Sequence, residues 1–391
     1  MPNFDLKDRA AIIGVGHSTY GRRMMRSPID LACDSIINAL DDAGLKRDDL
    51  DGMIVSFGSP VGADGDSLAQ VLGLNLRSAN QTWAHGRFTA SCIQWAAMIV
   101  NAGMADAVAC LASVSFSGLR RPMMGGSGDR EGAREAGGGH GEDPVYGMTS
   151  PGAGAALVAQ RYFDRYRTNS RALAAVPVAF RKHASMNPAA IMREPFDLDD
   201  HQASRFVCEP LHLLDYCLMN DGAACVIVTT AERARDSKKP PVYISGMQGL
   251  PGGREEFIWA YPGFGIAQQS TFDYKYELQP VYKMAGIAPK DVDALFTYDA
   301  FSILTWIALE RWGFCKPGEA AAFCQEGRIE VGGDLPINTN GGLLSEAHIM
   351  GWNHQVEIVR QLRGECGARQ VKDAAIIQWA NAYGDSLIYH K

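Results

Sequence analysis

Apolar positions recur at helical spacing through Asp30-Leu-Ala-Cys-Asp-Ser-Ile-Ile-Asn-Ala-Leu-Asp-Asp-Ala, which predicts an amphipathic helix. A glycine, a polar stretch and an apolar run follow it, in Ala43-Gly-Leu-Lys-Arg-Asp-Asp-Leu-Asp-Gly-Met-Ile-Val55. The same grammar returns in Ala285-Gly-Ile-Ala-Pro-Lys-Asp-Val-Asp-Ala-Leu-Phe296. Each copy reads as a helix end closed by a left-handed glycine, Gly44 or Gly286, then a turn and a strand covered on both faces. The echo predicts two halves of one topology, and alternating strand and helix patterns predict parallel pairing. Between roughly 116 and 206 the pattern changes to Gly125-Gly-Ser-Gly-Asp-Arg and Gly137-Gly-Gly-His-Gly, followed by helical segments at 153–166 and 172–184. A glycine-rich piece of this length is a lid or an irregular loop.

With 391 residues, 47% of them hydrophobic, the chain can bury a large core and divide into two halves of similar size. A net charge of −7 and a pI near 5.7 argue against a nucleic-acid partner, which calls for a basic face. Nine cysteines show no CxxC pairs and no metal-ligand spacing with histidine, and Cys110 and Cys225 lie in apolar runs. They read as reduced, buried thiols of a cytoplasmic protein, with no metal site. The N-terminus has no apolar signal core, and nowhere do about 18 apolar residues run together, so a soluble, unexported protein with no membrane contact is expected. Gly14-Val-Gly16 does not complete a GxGxxG fingerprint and no Gly-Lys-Ser/Thr follows the glycine-rich stretch, which leaves a nicotinamide or P-loop site unsupported.

Candidate chemistry concentrates in Asn338-Thr-Asn-Gly-Gly-Leu-Leu-Ser-Glu-Ala-His348, with Tyr298-Asp-Ala-Phe301 upstream. An imidazole near neutrality can take a proton or donate a hydrogen bond, so His348 is the first candidate against a structural histidine. Tyr298 is the second, against an interior tyrosine with a satisfied hydroxyl. Asp299 could orient Tyr298 or cap the helix expected from Ser302. Gly341 and Gly342 could bring backbone N–H groups to a ligand or simply close a tight turn.

These two boxes resemble those of the thiolase superfamily. Ala11-Ile-Ile-Gly-Val-Gly16 resembles the first strand of its lipid-transfer branch, and Asp221-Gly-Ala-Ala-Cys-Val-Ile-Val228 the strand after its loop region. The resemblance implies an α/β fold of two pseudo-repeated mixed-sheet halves in α-β-α-β-α layers. The N-terminal half would take residues 1–115 and 207–240, the inserted loop domain 116–206 and the C-terminal half 241–391.

The thiolase nucleophile is absent. Counting back from Ala102-Gly-Met-Ala-Asp106 reaches His85-Gly86-Arg87, and Cys92 falls nearly two turns too late. The loop after the last core strand, Ala380-Asn-Ala-Tyr-Gly-Asp385, lacks the second cysteine. Acyl-enzyme chemistry needs an activated sulfur. The combination is similar to the cysteine-less steroid side-chain-cleaving aldolases, which carry a Tyr-Asp-x-Phe box. It implies retro-aldol cleavage of a β-hydroxyacyl-CoA, such as a 17-hydroxy steroid side chain giving a ketone and propionyl-CoA, with CoA thioester as substrate and no covalently bound cofactor.

Tyr298 and His348 would be the catalytic pair, Tyr298 taking the hydroxyl proton and His348 holding the thioester oxygen or protonating the enolate, with the reverse assignment open. Those aldolases usually carry a second tyrosine where this chain has His348. Asp299, Asn340, Gly341, Gly342, His85 and Arg87 would line the substrate, although Asn340 also reads as a structural tie between loops. A homodimer and a separately encoded OB-fold/zinc-ribbon partner are implied. Competing readings are a Claisen enzyme using a relocated thiol such as Cys92, or a non-catalytic acyl-CoA or sterol-binding subunit.

Overall fold

The computed structural model describes residues 6–56, 58, 61–82, 89–116, 150–251 and 279–391. The N-terminal half contains β1 (Ala10–His17), α1 (Pro28–Ala43), β2 (Gly52–Ser56), α2 (Gly65–Leu72), β3 (Ser78–Thr82), α3 (Thr89–Asn101) and β4 (Ala107–Ser115). Helices α4 (Pro151–Tyr166), α5 (Ser170–Leu173), α6 (Ala175–Ser185) and α7 (Leu198–Ala203) follow, then a small antiparallel pair, β5 (Phe206–Cys208) with β6 (Leu211–His212). The chain rejoins the main sheet at β7 (Asp221–Thr230), and α8 (Ala231–Ala234) leads on to β8 (Val242–Gln248). The C-terminal half continues with α9 (Pro280–Ala285), β9 (Ala294–Phe296), α10 (Ser302–Arg311), α11 (Ala320–Gln325), α12 (Gly342–Ser345), α13 (Trp352–Arg363), β10 (Ile376–Ala380) and β11 (Ser386–His390).

Among the described residues nine strands form one mixed sheet in the order β3-β2-β4-β7-β1-β8-β11-β10-β9. The order is a duplication folded about the β1/β8 junction. β2 pairs parallel with β4, β4 antiparallel with β7, and β7 antiparallel with β1. In the second half β9, β10, β11 and β8 repeat those senses. Two pairs, Ala11↔Tyr243 and Ile12↔Val242, join the halves.

The repeat seen in the sequence is carried into hydrogen bonds. Gly44 and Gly286 close α1 and α9 at φ 72° and 74°. Asp49 accepts the Lys46 N–H at 2.8 Å, and Asp291 accepts the Ala288 N–H at the same distance. Asp51 then caps the approach to β4 through the Asp106 and Ala107 N–H groups, as Asp293 does for β10 through those of Ala375 and Ile376.

One face of the N-terminal half is closed by α1 and α2 over alternate residues such as Ala11, Ala109 and Ile227. The other strand faces, including Ile12, Cys110 and Val226, belong to a larger core shared with α3, α13 and the C-terminal half. Buried alternation on both faces is what a sheet between helix layers requires. Gly14 and Gly16 let β1 approach α1: a Cβ on either would lie 2.4 Å from helix backbone atoms. Among the described residues no helix is long and apolar enough to cross a membrane, and no group of His, Cys, Asp or Glu side chains is arranged to hold a metal ion.

Candidate active site

Tyr298 leaves the sheet two residues past β9, at the carboxyl end of parallel strands, where crevices form in α/β sheets. Two clamps fix its backbone. The Asn338 side chain pairs with Thr297 in both directions, accepting its N–H at 2.9 Å and donating to its carbonyl at 3.0 Å. Asn338 does this from a left-handed backbone, φ 46°, a conformation asparagine tolerates better than most residues. The fully buried Asp299 carboxylate accepts N–H groups of Leu343 and Leu344 and meets His354 Nε2 at 3.0 Å. Asp299 therefore caps α12, a segment distant in sequence, whereas α10 at Ser302 has no side-chain cap.

His348 lies between α12 and α13 in a loop held from four directions. Its backbone N–H donates to Asn220 Oδ1 at 2.7 Å. Thr89 at the start of α3 donates its hydroxyl to the Met350 carbonyl at 2.6 Å. Glu346 accepts from the amides of Asn187, Asn340 and Asn353. The inserted segment closes over the loop through Ile191 N–H to Glu346 O, Met192 N–H to Ser345 O and Arg181 Nε to Ser345 Oγ.

These restraints place His348 Nε2 3.1 Å from the Tyr298 hydroxyl, with Tyr298 5% and His348 8% exposed. Phe116, at the end of β4, stacks on the imidazole with ring centroids 6.4 Å apart. Burial pushes the His348 pKa down to about 4, against an opposing pull from the Asp299 carboxylate. The imidazole is therefore neutral at pH 7 and can accept the phenol's hydrogen at Nε2. Nδ1 makes no hydrogen bond of good geometry among the described residues, and the Leu218 backbone beside the ring pulls the pKa in the same direction as Asp299. Glu346 moves the other way, to about 7, chiefly from burial and the nearby Glu357 carboxylate.

The sequence reading sets Asp299, Asn340, Gly341 and Gly342 against the substrate; in this structure each of them also makes close contacts to protein atoms. Asn340 is fully buried; its Oδ1 accepts the Gly342 N–H and its amide nitrogen donates to Glu346. Gly341, φ 104°, has no room for a Cβ beside Ala184, and Gly342, φ 68°, would set one 2.1 Å from an Asp299 oxygen. The Gly341 N–H is taken by the Asn338 carbonyl. The glycine pair permits close packing under the site. His85 and Arg87 lie outside the described residues. Glu346, Asn187, Asn220 and His354 were not singled out from the sequence; Glu346 stood inside the quoted box, but nothing in the pattern marked the other three.

Sulfur is present but not activated. Cys92 is fully buried in α3, where burial lifts its thiol to about 12 despite the Ser56 and Thr82 hydroxyls beside it. Cys217, near Asp299, is likewise raised to about 12. A thiol at such values is almost wholly protonated at pH 7 and is a poor nucleophile.

Residues 278–388 match the family model described as Thiolase C-terminal domain-like. The chain is 37% identical over 370 residues to the 17-hydroxy-3-oxo-4-pregnene-20-carboxyl-CoA lyase of Mycobacterium tuberculosis, covering 92% of each chain. It is 34% identical over 371 residues to the steroid side-chain-cleaving aldolase of Thermomonospora curvata, covering 92% of this chain and 91% of that one. The chain belongs to the steroid side-chain-cleaving aldolases of the thiolase fold. The solved structure of an Ltp2-ChsH2(DUF35) aldolase superposes on this aldolase with a TM-score of 0.87 at 33% identity, covering 98% of both chains. Human mitochondrial 3-ketoacyl-CoA thiolase, at 13% identity and TM-score 0.67 over 99% of both, shares the fold.

Proposed function

We propose that this aldolase is a carbon–carbon lyase that cleaves a steroid β-hydroxyacyl-CoA by a retro-aldol step, giving a ketone and a shortened acyl-CoA. The contact between the Tyr298 hydroxyl and the neutral His348 imidazole carries this reading. A tertiary β-hydroxyl cannot be oxidised to the ketone that thiolysis requires, so proton removal is the available route to bond cleavage. Tyr298 takes the substrate hydroxyl proton as its own passes to His348 Nε2. The Cα–Cβ bonding pair moves into the thioester, the ketone departs, and the stored proton returns through Tyr298 to Cα. No proton is gained or lost overall, and no free CoA is consumed.

The named relatives support a 17-hydroxy steroid side chain as substrate and propionyl-CoA as the acyl product. We assign Asp299, Asn340, Gly341 and Gly342 to positioning the two catalytic side chains. The second component of the similar Ltp2-ChsH2(DUF35) aldolase supports a separately encoded partner; a homodimer and a cytoplasmic location complete the proposal. The raised thiol pKa values speak against a Claisen mechanism through Cys92.

The test incubates the protein, alone and with an OB-fold/zinc-ribbon partner, with a 17-hydroxy steroid acyl-CoA and no free CoA. Mass spectrometry should show ketone and shortened acyl-CoA in equal amounts. An absolute requirement for added CoA, or a trapped acyl-enzyme, would refute the reading.

A further inference from the structure

We propose that Asn220 donates, through its side-chain N–H, to the substrate's thioester oxygen as that oxygen takes up enolate charge. The inference rests on the aldolase reading above and deepens it, because that reading provides no donor for the charge. Tyr298 and His348 Nε2 are engaged with each other and with the travelling proton.

Asn220 is 1% exposed and precedes β7. Its segment threads between the two loops of the site: Cys217 N–H donates to the Ala300 carbonyl and Leu218 N–H to the Leu343 carbonyl, both at 3.0 Å. Asn220 Oδ1 accepts the His348 backbone N–H at 2.7 Å. That bond fixes the amide, because a flipped side chain would set its NH2 against another N–H. Nδ2 is then buried without a hydrogen-bond partner among the described residues.

The neighbouring asparagines make this orphan informative. Asn187, Asn338, Asn340 and Asn353 all donate their side-chain nitrogens to protein acceptors. Of these five, Asn220 alone leaves its donor without a partner among the described residues, on the side chain that holds the His348 backbone. A buried unpaired donor is unfavourable in the empty protein and gains a partner when an acceptor arrives. In the retro-aldol step the acceptor whose charge grows is the thioester oxygen, which receives the electron pair released from the Cα–Cβ bond. A fixed donor aimed at developing charge strengthens its bond as the transition state forms.

The test uses Asn220→Asp, which keeps an oxygen for the His348 N–H and removes the donor. Two reactions are followed: ketone release from the steroid thioester, and exchange of the α-protons of propionyl-CoA with D2O, which reports enolate formation alone. Loss of one oxyanion donor predicts a fall of about 10²–10³ in kcat for both, with propionyl-CoA affinity within about threefold of the parent. Should Asn220→Asp fail to fold, as read by thermal unfolding, Asn220→Ala tests the same loss in the exchange reaction without added charge. Its exchange rate must fall while acyl-CoA affinity holds. Cleavage and exchange within about threefold of the parent in a folded variant would overturn the donor role and leave Asn220 a tether for His348. A parent protein that neither cleaves nor exchanges would overturn the aldolase reading and this assignment with it.

Discussion

The two copies of the duplicated unit diverge where their strands end. In the first, β2 is an interior strand with parallel neighbours on both sides, and its last residue, Ser56, pairs with Thr82 of β3. In the second, among the described residues, β9 pairs with β10 alone, and the place of β3 is reduced to a single parallel bridge, Leu295↔Ile337. Tyr298 is at the register of Ser56. Without a third strand alongside among the described residues, the chain past Ile337 turns inward, and Asn338 and His348 reach the end of β9. The first copy buries a small hydroxyl beside an unreactive thiol; the second presents a phenol to an imidazole. One local fold thus yields scaffold or chemistry according to what covers its outer edge.

The sharpest way to break this contrast is to remove the phenol. Tyr298→Phe should lower kcat/KM for ketone release by about 10²–10⁴ while thermal unfolding shifts by no more than a few degrees. Full activity in this variant would move the chemistry elsewhere. Next in size is the clamp. Asp299→Ala removes the acceptor for the Leu343 and Leu344 N–H groups and the partner of His354, and should cost about 3–5 kcal/mol in urea unfolding as well as most activity.

Gly342→Ala should cost at least about 2 kcal/mol, because strain at φ 68° adds to a clash with Asp299. Gly103→Ala, at φ 69° with nothing within 4 Å of the new Cβ, should cost only about 1 kcal/mol. Equal costs would show that the site loop relaxes.

The pH profile sharpens the same point. The His348 pKa is depressed, so its neutral, proton-accepting form persists as the solution is acidified. kcat/KM should therefore hold through pH 6.5 and fall tenfold per unit only below about 4. A limb near 6.5 would mean an imidazole open to water. Cys92→Ala should have the smallest effect on catalysis, within about threefold in kcat/KM. Loss of cleavage there would restore a role for sulfur.

The sequence by itself determined the repeated unit, because its parts are local: a left-handed glycine, an aspartate three residues after the turn begins, and an apolar run. It also determined the candidate pair, since Tyr298 and His348 sit in recognisable boxes, and the absence of a cysteine at the expected helix start. The tertiary structure alone decided how these parts act. Asp299 caps α12, forty-four positions away in sequence, instead of the adjacent α10, because the turn after β9 aims its carboxylate across the loop. Asn220, one residue before the quoted strand from Asp221, and Asn187 reach the His348 backbone and Glu346 from positions that no motif marked. The neutrality of the imidazole comes from burial, and burial is a sum over many distant residues that no short stretch of sequence encodes.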